Sequence, residues 1–87
     1  MRNNFIQLYR ALEESCLKLR LGGTQQKAES KVAIQHILDR LEQDYKLSPS
    51  LDWKNWWQGF NTTPSYTSSS LMAHLYPLIC SLRTTVN

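Results

Sequence analysis

The chain has 87 residues, 41% of them hydrophobic, and a formal net charge of +3. That length accommodates one small domain, which buries roughly two-thirds of the surface its unfolded chain exposes. The apolar fraction is too high for a disordered chain, no apolar run is long enough to span a membrane, and two cysteines are too few for a secreted disulfide framework.

The charge is uneven along the chain. Lys18, Arg20, Lys27 and Lys31 stand against Glu29, whereas Asp39, Glu42, Asp44 and Asp52 outnumber Arg40 and Lys46. Beyond Asp52 no acid remains. A basic junction of this size suits an acidic partner and falls short of the clustered footprint of a nucleic-acid binder. Met1-Arg2-Asn3-Asn4-Phe5 leads to Glu13 and Glu14 without a signal-peptide core, so the cytoplasm is the expected compartment.

The first helix is expected over 4–21. Asn3 or Asn4 can cap it, because a short side-chain oxygen satisfies the free N–H groups of a first turn. Phe5, Leu8, Leu12, Cys16 and Leu19 follow at spacings of three and four, and Tyr9 and Leu17 widen the stripe. Gly22-Gly23 then ends the helix, with a glycine in the left-handed cap conformation. Thr24 is the next cap candidate. A second helix is expected over 25–46, with Ala28, Val32, Ile34, Ile37, Leu38, Leu41 and Tyr45 as its apolar set and Gln35, Asp39, Gln43 and Lys46 facing water. So short a connection makes the two helices an antiparallel hairpin.

Leu47-Ser48-Pro49-Ser50 interrupts the pattern, and a short third helix is expected over 50–59. Pro49 suits a first turn, Ser48 or Ser50 supplies the cap, Asp52 lies in the first turn and Gly59 closes the helix. This segment carries all three tryptophans. Residues 61–68 read as a polar, turn-rich loop. Leu71, Leu75, Ile79, Leu82 and Val86 then mark a last helix over 69–84, with Met72, Tyr76 and Leu78 alongside. Pro77 falls inside it, which predicts a kink or two short helices meeting near Tyr76. The fold expected is all-α: a single four-helix, bundle-like domain over 1–87.

Trp53, Trp56, Trp57 and Phe60 stand at i, i+3, i+4 and i+7 and share one helical face. Each such ring buries about 150–250 Å², so this face is either a core plug or an anchor for another protein. Adjacent residues lie about 100° apart on a helix, so Trp56 and Trp57 do not both point straight inward, and one ring is expected at the surface. Lys54 and Gln58 mark the wet side. Arg20, Lys27 and Lys31, together with Lys54, form the electrostatic candidates for an acidic protein surface or, as the alternative, for phosphate.

His36, His74, Cys16 and Cys80 are metal-ligand types without metal-ligand spacing, so no metal or cofactor is expected. The cysteines read as reduced, buried thiols. No nucleophile has a base and an orienting group placed beside it by spacing, and no glycine-rich cradle or paired carboxylates appear, so an enzyme is not expected. The functional expectation is a protein-binding module, such as an adaptor, subunit, chaperone or inhibitor, with self-association a further expectation for so small a core.

Overall fold

A computed structural model of the chain describes residues 2–62 and 68–86. They form four helices in chain order, α1 (Arg2–Leu21), α2 (Thr24–Tyr45), α3 (Trp53–Thr62) and α4 (Ser68–Val86). Among the described residues there is no strand, so the domain is all-α as its periodicities require.

α1 packs against both α2 and α4. Its inward stripe is Phe5, Tyr9, Leu12, Cys16 and Leu19, all buried. The helix starts at Arg2, so Asn3 and Asn4 lie inside it rather than capping it. At its other end neither Gly22 nor Gly23 takes a positive φ. Gly22 serves a close approach instead: a Cβ there would lie 2.6 Å from the Lys18 carbonyl oxygen and 2.7 Å from Gln26 Cβ. Gly23, not Thr24, is the N-cap of α2. Its N–H donates to Gln26 Oε1 at 3.2 Å and its carbonyl accepts from the Lys27 N–H at 2.9 Å, which closes the first turn.

α2 buries Ile34, Ile37, Leu38 and Leu41 on one face. Ser30 is buried among them, and its hydroxyl donates to the Gln26 carbonyl at 2.7 Å, so the polar group enters the core satisfied. Ala28 and Val32, expected in the apolar set, are exposed. Among the described residues the left-handed one is Lys46, at φ 56° and ψ 36°, where α2 stops. The Lys46 and Leu47 N–H groups turn back onto the carbonyls of Glu42 and Leu41, each at 3.1 Å. Phe5 meets Tyr45 edge-on with ring centroids 5.1 Å apart, which brings the start of α1 to the end of α2 and confirms the antiparallel hairpin.

α4 contributes Leu75, Leu78, Ile79 and Leu82 to the same core. It is one continuous helix through Pro77, not two short ones. Pro77 is exposed, so its ring displaces nothing in the core, and the local cost is the hydrogen bond it cannot give, about 3 kcal/mol with the steric term. Arg83 ties α4 to α1: its Nε donates to the Tyr9 hydroxyl at 3.1 Å and its Nη2 meets Glu13 Oε2 at 3.0 Å. Of the expected loop, Asn61 and Thr62 belong to α3 and Ser68 to α4, while 63–67 lie outside the described residues.

Candidate functional site

The aromatic helix is held by its indole N–H groups. Asp52 precedes α3, and Pro49 and Ser50 lie further upstream, outside the helix. Ser50 still organises the entry: its hydroxyl donates to Asp52 Oδ1 at 2.9 Å, and its carbonyl accepts from the Trp53 N–H at 3.3 Å. Gly59 lies inside α3 and does not end it.

Trp53 and Trp57 are 2% and 3% exposed and belong to the hydrophobic core. A buried indole needs an acceptor for its N–H, and α2 supplies both. Trp53 Nε1 donates to Glu42 Oε2 at 2.6 Å, and Trp57 Nε1 donates to Gln35 Oε1 at 3.2 Å. Gln35 and Glu42 are seven residues apart, two turns along one face of α2, and so present both acceptors on the side where α3 docks. The other Glu42 oxygen, Oε1, takes Lys54 Nζ at 3.1 Å. The Trp53 hydrogen bond first, and Lys54 second, hold the Glu42 carboxyl below its ordinary value of 4.5. Lys54 also lies 5.8 Å from the Trp53 ring centroid. Although its side chain is 66% exposed, it is committed to α3 docking.

Trp56 is the half-buried ring of the three. Its Nε1 donates to Ser50 Oγ at 3.0 Å, and its face stacks on His74 of α4, with centroids 4.6 Å apart and planes at 19°. The Phe60 side chain lies outside the described residues. The aromatic face is therefore mostly core, with one edge at the surface, the division that the 100° offset between Trp56 and Trp57 requires.

The basic candidates do not converge. Arg20 lines a groove between α1 and α4, whereas Lys27 and Lys31 line a different one along α2, with Val32 and Gln35. Lys54 is paired with Glu42. Cys16 and Cys80 are both free, and burial, reinforced by Glu13, pushes the Cys16 thiol up to about 12, far from a reactive thiolate. Among the described residues no three His, Cys, Asp or Glu side chains come together to hold a metal ion. None of the helices there is long and apolar enough to cross a membrane.

The surface that the sequence did not single out is the α1/α4 groove. Leu17 is 52% exposed and Tyr76 is 56% exposed, and both line it beside Met72 and Arg20. Leu21, one turn beyond Leu17, is 74% exposed. A signal was present: Leu17 sits about 100° from Cys16, at the edge of the stripe that α1 buries, and so extends past what the neighbouring helices cover. For Tyr76 the neighbouring Pro77 was such a signal, since a helical proline belongs on an outer face.

No family model matches the chain, and no curated protein or solved structure is significantly similar to it.

Proposed function

We propose that this chain is a non-catalytic protein-binding module, and that its binding face is the α1/α4 groove. The observation that carries the reading is the pairing of Leu17 and Tyr76, each more than half exposed, in one groove with an arginine at its edge. Scattered exposed apolar residues are ordinary; two large ones, one of them aromatic, sharing a concave strip with an arginine resemble the composition of a binding hot spot. Apolar area supplies the affinity, and Arg20 favours a partner that brings an acidic side chain to the rim. Trp53 and Trp57 are committed to docking α3 on α2, and the exposed Trp56 edge offers a second, smaller contact.

Site-specific photo-crosslinking tests the proposal. A photoreactive phenylalanine at position 76 should trap a discrete protein adduct, while the same probe at Gln43, on the exposed side of α2, should not. The adduct should disappear with Leu17→Glu. Equal labelling at both positions, or adducts that nuclease removes and moderate salt abolishes, would instead favour the phosphate-binding alternative.

A further inference from the structure

We infer that the occupant of the α1/α4 groove is a second copy of this chain, packed antiparallel, α1 against α1, about a two-fold axis beside Leu17. The inference rests on the protein-binding reading and names its partner.

One face of α1 is complementary in charge to itself. A partner that covers Leu17 gains from bringing an acid to Arg20, an exposed side chain for which no hydrogen bond or ion pair is seen among the described residues. The chain's own α1 carries that acid. Counting about 100° per residue from Leu17, Glu13 and Arg20 both fall on the flank facing α4, within about 60° of it. Both line the groove with Leu17. In an antiparallel two-fold pair, residues on the same flank meet when they lie at equal heights on either side of the axis. The midpoint of 13 and 20 falls between Cys16 and Leu17. A single axis there sets Arg20 of each copy against Glu13 of the other and brings the two Leu17 side chains together. Arg83 occupies Glu13 Oε2, at 3.0 Å, and among the described residues Oε1 has no partner.

The parallel alternative is opposed by charge. A parallel two-fold places opposite flanks at the same height, which brings Glu13 of one copy to Glu14 of the other. The antiparallel arrangement is also isologous, the form of closed homodimers, and uses one surface twice. Leu21, on the other flank, reaches the level of Glu14 of the second copy, on that same flank, and covers the stem of its side chain. Tyr76 and Met72 extend the apolar strip onto α4, so the contact is broader than one helix. Covering this strip adds apolar burial to a chain whose length allows only a small core of its own.

The test is sedimentation equilibrium on the full chain, from about 1 to about 300 µM, since self-association is a mass-action effect. The expected result is a rise in mean mass from 10.1 kDa toward twice that value with concentration. Leu17→Glu should abolish the rise. Arg20→Glu should weaken the dimer about tenfold, and Glu13→Arg in addition should restore it to within about threefold, because the reversed pair again matches across the axis. Circular dichroism of each variant confirms that the helices persist. A wild type that stays monomeric throughout overturns the inference, as does a dimer indifferent to Leu17→Glu or a double variant weaker than both singles. The protein-binding reading fails separately, if the probe at position 76 traps no protein at all.

Discussion

Truncating the three tryptophans one at a time should produce two large losses of stability and one small one. Trp53 and Trp57 are 2% and 3% exposed, so replacing either with alanine removes a fully buried double ring and leaves a cavity, at about 3–5 kcal/mol each. Trp56 is half-buried; its alanine variant forfeits part of a ring and the stack on His74, about 1–2 kcal/mol together. An 87-residue domain at ~0.05–0.15 kcal/mol per residue has about 4–13 kcal/mol in total, so the larger losses approach the whole. Urea unfolding followed by helical circular dichroism reads the difference. With a slope near 2 kcal/mol per molar, a loss of 4 kcal/mol moves the midpoint by about 2 M, against less than about 1 M for Trp56→Ala. Trp53→Phe, which keeps one ring and loses the donor to Glu42, gives an intermediate point if the alanine variants do not fold. A Trp56→Ala loss equal to that of Trp53→Ala, or a Trp53→Ala loss below about 1 kcal/mol, would refute the assignment of these rings.

Three further outcomes follow from local geometry. The Glu42 carboxyl is held below its ordinary value when folded, so it binds fewer protons in the native state than in the unfolded one near and below pH 4.5. Its contribution is therefore present above that pH and is lost as pH falls through the depressed native value. Tryptophan fluorescence titrated downward from pH 5 should show α3 loosening, and Glu42→Gln should flatten the response. Gly22→Ala should destabilise by about 1–3 kcal/mol, because the new methyl meets the Lys18 carbonyl oxygen at 2.6 Å. Gly59→Ala, inside α3 with nothing within 4 Å of the added atom, should instead stabilise by about 0.5–1 kcal/mol; thermal melts of both variants check the contrast. Lys46→Gly should raise the melting temperature, worth about 0.5–1 kcal/mol, by relieving a left-handed lysine at φ 56°, and Lys46→Val should lower it.

The helical hairpin was legible because its information is local. Phe5, Leu12, Cys16 and Leu19, with Ile34, Ile37, Leu38 and Leu41, recur at helical spacing, and burial followed that spacing. The errors came where two local devices compete. Gly22-Gly23 carries the residue type of a left-handed cap, yet the chain uses the close approach to Lys18 and Gln26 there and puts the left-handed turn on Lys46. Pro77 breaks an isolated helix, but four buried residues around it, Leu75, Leu78, Ile79 and Leu82, hold the segment in one piece. Spacing showed that Trp56 and Trp57 diverge; that Trp57 is the one turned inward goes with Gln35, an acceptor on another helix, whereas Trp56 bonds to Ser50 just upstream. Leu17 and Tyr76 carried partial signals, the edge of the α1 stripe and the neighbouring Pro77, but the exposure of Val32 was not legible for the same reason: an apolar side chain at a helical register position is left uncovered only by the arrangement of the neighbouring helices.

Hydroxyl-radical footprinting read by mass spectrometry tests the central claim most directly, because it reports every side chain at once. In dilute protein, relative to the intrinsic reactivity of each residue type, Tyr76 and Leu17 should be modified most, Trp56 less, and Trp53 and Trp57 barely. When the occupant of the groove is added, or the chain itself is concentrated, protection should rise at Leu17, Leu21 and Tyr76 and leave α3 unchanged. Rapid oxidation of Trp53 or Trp57 in the dilute protein, or protection confined to α3, would contradict the account and return the binding face to the aromatic helix.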